Sequence, residues 1–178
     1  LMKQDLDVYC LEMLGLHVNR INMADWEEML KKLIHPRNGS VKIAVVGKYI
    51  SLRDSYKSIY EALTHGAIAN DLSLSISMIE SEDVEKKRAD TLLSDCDGIL
   101  VPGGFGDRGI EGKILSVKFA RENNIPFFGI CLGMQCAVIE FARNKASMPD
   151  ANSSEFSQTP YPVVDLMENQ SKVQQKGG

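Results

Sequence analysis

At 178 residues, with 44% hydrophobic and 25% charged residues, the chain has the makeup of one ordinary globular domain plus a short appendage. A net charge of −4 at pH 7 gives no ground for nucleic acid or a membrane surface as its main partner. No apolar run reaches the length of a bilayer span and the first residues are not a signal peptide. Cys10, Cys96, Cys131 and Cys136 form no C-x-x-C pair, and His17, His35 and His65 are scattered. Neither a zinc site nor a disulfide framework is in view, so a reducing, cytoplasmic setting is the expectation.

In chain order, Leu6, Tyr9, Cys10, Met13 and Leu14 sit at helical spacing, and residues 25–33 form a second amphipathic helix. Asp25 is its expected N-cap, and Trp26, Met29, Leu30 and Leu33 its apolar face. The turn-rich His35-Pro-Arg-Asn-Gly-Ser40 is the expected domain boundary, dividing a helical linker over 1–40 from a catalytic domain over 41–178. Val41 to Lys48 opens that domain as a buried strand. A helix over 56–69 follows, then an alternating strand over 73–79 and a charged surface helix over 84–93. Asp97 to Val101 is a short strand closed by Pro102-Gly-Gly-Phe-Gly106. A helix over 111–122, a central strand over 127–131 and a helix over 134–144 complete the pattern. Apolar strands alternating with helices predict an α/β fold: a parallel sheet with helices on both faces and its chemistry at the carboxyl ends of the strands.

Both Gly103-Gly104 and Cys131 fall at such ends. Gly129-Ile-Cys-Leu-Gly133 is the thiol form of a nucleophile elbow, its glycines permitting a tight turn that lifts the sulfur clear of the sheet. The helix after it favours thiolate over thiol. The alternative for a cysteine is a small buried hydrophobe. Gly103-Gly104-Phe105-Gly106 is neither a P-loop nor G-x-G-x-x-G. Its N–H groups can instead face an oxyanion beside Cys131, together with the N–H of Leu132.

Val101-Pro-Gly-Gly-Phe-Gly106, Arg108-Gly109, Glu111-Gly112-Lys113 and Gly129-Ile-Cys-Leu-Gly-Met-Gln135 together resemble the class I (triad) glutamine amidotransferase domain of the CTP synthase family. Gly47-Lys48-Tyr49, Ser55-Tyr56 and Ala151-Asn-Ser-Ser-Glu-Phe156 follow the same family in the same order. The resemblance implies a three-layer, flavodoxin-like sandwich with a mainly parallel central sheet. It implies Cys131 as the nucleophile toward L-glutamine, Gly104 and Leu132 as oxyanion donors, and Phe105, Gly133 and Met134 as pocket residues. Gln135 and Glu155 would hold the amino and carboxylate ends of glutamine. Arg108 and Glu111 are the places for coupling to GTP as effector; their alternative is a surface ion pair. No cofactor is implied for this domain, ATP and Mg2+ belonging to the family's synthetase domain, which aminates UTP to CTP. The family also implies homotetramers and filaments, with the helices over 26–33 and 84–93 as candidate surfaces.

The family serves its thiol with a downstream H-x-E. Here all three histidines precede Cys131 and none stands two residues before a Glu. The chain opens without an initiator Met and stops on Gly177-Gly178, as a piece of a longer protein would. A chain without general base, orienting carboxylate and carboxylate-binding Arg should not turn over by itself. Two other readings remain: a cysteine hydrolase or chaperone of the same fold, which wants a His where Leu132 stands, and a non-catalytic assembly module.

Overall fold

The structure is a computed structural model and describes residues 6–16, 22–50 and 52–166. Its sheet is laid down around strand β1 (Ser40–Gly47), whose Ala44, Val45 and Val46 are wholly buried. On one side β1 pairs in parallel with β2 (Ser73–Glu80), in register from Ser40 opposite Ser73 to Gly47 opposite Glu80. On the other it pairs with β3 (Gly98–Val101), which pairs with β4 (Phe127–Gly129). The order is β2-β1-β3-β4, all parallel. The winding therefore reverses between β1 and β3, and a crevice opens outside their carboxyl ends.

Alternation along β1 assigns the two faces. Val41 and Ile43 share a groove with Ala62, Leu63 and Gly66 of helix α3 (Lys57–Asn70), which follows a 3₁₀ turn at Arg53–Tyr56. Ala44 and Val46 pack on the other face with Ile99, Val101, Val84, Leu93 and Ala120. Those last three come from α4 (Ser81–Lys87), α5 (Ala89–Leu93) and α6 (Ile110–Glu122). Helix α7 (Leu132–Lys145) packs on α6 through Ile114, Val117, Leu132, Cys136 and Ile139. Beyond α7 lies a small parallel pair, β5 (Asn152–Ser153) and β6 (Pro162–Val164). This is the expected α/β sandwich around a parallel sheet.

Three local expectations need correction. The single helix over 84–93 is two helices that break at Arg88, where φ is +64°. Val84 and Leu93 are both fully buried. Nine residues at 100° each would put them on opposite sides of an unbroken helix, so the break lets both reach the core. The strand over 127–131 is shorter than expected. Among the described residues β4 is an edge strand, not a central one, and Phe128 is 64% exposed. Asp25 is not a cap. Helix α2 (Ala24–Ile34) starts a residue earlier, with Asn22 Oδ1 accepting the Ala24 N–H at 3.1 Å. Asp25 lies in the first turn, where a negative charge still suits the helix dipole.

Helix α1 (Leu6–Met13) and α2 bury none of their side chains. Leu33 and Ile34 border a groove shared with Ile68 and Leu72, while Trp26 and Leu30 stay largely exposed. No described helix is long and apolar enough to cross a membrane.

Candidate active site

Cys131 has φ +53° and ψ −107°, a backbone conformation that a side-chain-bearing residue adopts only when its surroundings force it. The surroundings here are two glycines. A Cβ on Gly129 would come within 2.5–2.6 Å of Gly133 and Met134 backbone, and one on Gly133 would overlap the Val101 carbonyl. Without side chains, the first turn of α7 presses directly onto β4 and β3, and Cys131 is squeezed into the turn between them. The turn is tied by Gly133 N–H to Ile130 O at 2.9 Å and Gln135 N–H to Cys131 O at 3.1 Å. Cys131 is exposed at the N-cap of α7. Leu132, the first helical residue, has an N–H with no carbonyl one helical turn before it.

The glycine-rich loop after β3 faces this turn. A Cβ on Gly103 would lie 3.5 Å from Cys131 Cβ, so the loop runs directly beside the nucleophile candidate. Gly104 sits over two lysines: its Cβ would meet Lys48 Cε at 3.3 Å, Lys113 Nζ at 3.5 Å and Leu132 Cδ2 at 3.6 Å. Lys48, just past β1, donates from Nζ to Gly106 O at 3.2 Å. Burial lowers the Lys48 ammonium below the usual lysine range and Arg108 lowers it further, while Asp107 and Glu155 oppose the shift. Glu155 is exposed in the turn after β5. Its N–H donates at 3.2 Å to the buried Ser153 Oγ, which fixes the turn that carries it. Burial brings Lys113 down to about 8 and pushes the Cys136 thiol up to about 11.

The glycines of Arg108-Gly109 and Glu111-Gly112 have a packing role. A Cβ on Gly109 (φ +73°) would overlap the Ser81 hydroxyl, and one on Gly112 the Ser81 carbonyl. The starts of α4 and α6 touch there, with Gly112 N–H donating to Glu85 Oε1 at 2.9 Å. Arg108 and Glu111 do not pair with each other. Arg108 donates to Lys48 O at 2.7 Å and to Glu82 at 2.9 Å, whereas Glu111 pairs with Arg143 of α7 at 2.9 Å. Tyr56 is another such case. Its ring lies where a Cβ on Gly47 would be, and its hydroxyl accepts the Lys48 N–H at 3.3 Å.

The sequence-derived candidates therefore converge in part. Gly104, Cys131, Leu132 and Gly133 adjoin one another, Gln135 lies half-buried one turn along α7, and Glu155 is exposed in the turn after β5. Phe105, 83% exposed, and Met134 project from the rim. The described histidines stand apart. His35 ends α2 ahead of β1, at the amino ends of the strands, and His65 is exposed on α3, which packs on β2 at the sheet edge opposite β4. His17 lies outside the described residues. No cluster of three or more His, Cys, Asp or Glu side chains suited to a metal ion occurs among the described residues. Lys48 and Lys113 were missed as site residues. The available signal was a lysine next to a structural glycine at a strand or helix terminus.

A strained cysteine between strand and helix, beside a glycine loop at the sheet's winding reversal, has the arrangement of a nucleophile elbow. The model of the glutamine amidotransferase class-I family matches residues 51–176, and the chain belongs to that family. Its relatives are more particular. It is 53% identical to the CTP synthase of Ruminiclostridium cellulolyticum over 178 residues, all of this chain and 33% of the relative. Against the CTP synthase of Clostridium acetobutylicum it is 53% identical over 176 residues, 98% of this chain and 33% of the relative. The chain thus spans about a third of the length of these curated relatives. A solved Trypanosoma brucei CTPS glutaminase domain with bound acivicin superposes with a TM-score of 0.69 at 46% identity, covering 74% of this chain and 52% of that one.

Proposed function

We propose that this chain is the glutaminase part of a CTP synthase, with residues 1–40 as the link to a synthetase domain and 41–178 as the amidotransferase domain. The observation that carries the reading is Cys131, exposed and strained at the N-cap of α7 beside the Gly103-Gly104 loop. The thiolate attacks the carboxamide carbon of L-glutamine, and the electrons of the C=O bond move onto oxygen. Collapse of that tetrahedral adduct breaks the C–N bond, the leaving NH2 group taking up a proton to depart as ammonia, and leaves a γ-glutamyl thioester that water hydrolyses to glutamate with release of the thiol. Gly104 and Leu132 N–H groups stabilise the oxyanion. Gln135 and Glu155 hold the amino-acid end of the substrate, against Phe105, Gly133 and Met134. The proton transfers need a general base that neither His35 nor His65 supplies from its place in the fold.

The ammonia is used on a synthetase domain that activates UTP with ATP and Mg2+, and GTP stimulates hydrolysis through Arg108 and Glu111. The exposed Trp26 and Leu30 of α2 support a docking role for the linker, toward the synthetase domain or within a homotetramer. The test is Cys131→Ala in the full-length protein. Glutamine-dependent CTP formation should vanish while formation from free ammonia persists. Retained glutamine-dependent activity, or equal loss of both, contradicts the assignment.

A further inference from the structure

The proposed chemistry leaves the Lys113 ammonium unused. Its side chain is completely buried, and Nζ has no hydrogen-bond partner among the described residues. An unpaired buried ammonium is costly and is not retained for packing, since a thioether or alkyl chain of equal length fills the same space. The Lys113 ammonium lies against the glycine loop, 3.5 Å from where a Cβ on Gly104 would be. Lys48 shows what such a lysine does in this loop, because its Nζ already holds the Gly106 carbonyl.

We infer that Lys113 is a positioning residue that aims the Gly104 N–H at the oxyanion by drawing the Gly103 carbonyl inward. A trans peptide plane carries its C=O and N–H in opposite directions. When the Gly103 carbonyl turns down to the Lys113 ammonium, the Gly104 N–H of the same plane turns up toward the crevice beside Cys131. The two glycines let this plane rotate without a side-chain clash. Lys48 clamps the far end of the loop at Gly106 and Lys113 sets the near end. The inference rests on the proposed glutaminase reading, because it needs an oxyanion for the N–H to serve.

Only the charged amine, with three donors, holds a carbonyl firmly in this way. The groups facing it are Lys48 beyond β1, Arg108 before α6 and the Cys136 thiol on α7, with Glu85 of α4 held by the Gly112 N–H. Burial among them brings the ammonium down to about 8, so the aimed loop is lost as pH rises through that value.

The test uses the full-length protein and its glutamine hydrolysis, read as kcat and KM from pH 6.5 to 9.5. Lys113→Met should lower kcat about ten- to a hundredfold, a part of what a whole oxyanion donor supplies. KM should stay within about threefold, the alkaline fall of kcat near pH 8 should disappear, and the melting temperature should hold or rise. If Lys113→Met melts well below the parent, Lys113→Gln, which keeps a donor without the charge, takes its place on the same readouts. A folded variant with parental kcat and pH profile overturns the inference. Glutamine hydrolysis that survives Cys131→Ala overturns the reading beneath it instead, so the two failures are told apart.

Discussion

Helices α6 and α7 lie against each other, and each end of their interface buries a charge. At the end away from the site, Glu140 is 1% exposed and accepts from Arg121 Nε and Nη2 at 2.7–3.0 Å, with Asn144 Nδ2 adding a further bond at 3.0 Å. At the end below the glycine loop, Lys113 is equally buried and has no partner among the described residues. The same two helices therefore treat one buried charge as structure and keep the other in reserve. Fully paired, a buried charge fixes the packing of its elements. Unpaired, it costs stability that packing does not return, and it marks where the fold gives way to chemistry.

Breaking the paired end should have the largest effect on stability. Arg121→Ala leaves Glu140 buried without its counter-ion, Asn144 alone then meeting the carboxylate, and should lower stability in chemical denaturation. Glutamine kcat in the variant that remains folded should stay near that of the parent. A stable Arg121→Ala protein with impaired kcat would erase the distinction between the two ends.

The unpaired end should be sensed by pH. Lys113 would hold its proton to about 10.5 unfolded but only to about 8 folded. The folded state thus carries the full penalty below pH 8, and stability recovers as pH rises from 8 to 10.5. A shift of this size corresponds to a gain of about 3 kcal/mol at most. Other groups titrate there too, so the measurement is the difference between parent and Lys113→Met, whose unfolding free energy should lack that rise. Parallel curves for the two proteins would mean that Lys113 is not buried as a charge.

Much of this was legible in the sequence. The sheet, its parallel strands and the elbow could be read because apolar strands and glycine positions are local signals. The resemblance added an order of motifs that matched the family found for the chain. What escaped depended on the third dimension. Residues 84–93 have helix composition throughout, and only the need to bury Val84 and Leu93 together breaks them at Arg88. Phe127 to Cys131 reads as a buried strand, yet nothing local records that β4 has a neighbour on one side only among the described residues. Gly109 and Gly112 were placed in a motif without a reason, and the reason is Ser81, about thirty residues earlier in the chain. Lys113 entered only as the last residue of the Glu111-Gly112-Lys113 motif, and nothing local records that its side chain is buried.

The smallest effect belongs to the far margin of the fold. Asp25→Ala should change stability by less than about 0.5 kcal/mol, whereas Asn22→Ala, which removes the acceptor of the Ala24 N–H, should cost up to about 1 kcal/mol. Thermal denaturation of the two variants orders them, and the reverse order would restore Asp25 as the cap.

The central claim is that the turn at Cys131 makes its thiol the nucleophile. It is tested most directly by exposing the full-length protein to acivicin, the ligand named with the Trypanosoma brucei domain, and mapping adducts by mass spectrometry over time. Cys96 and Cys136 are buried, but Cys10 is exposed as Cys131 is, which makes it the internal control. The adduct should form on Cys131 at least about a hundredfold faster than on Cys10, and added L-glutamine should slow it in proportion to site occupancy. Equal labelling of Cys10 and Cys131, unaffected by glutamine, would contradict the account.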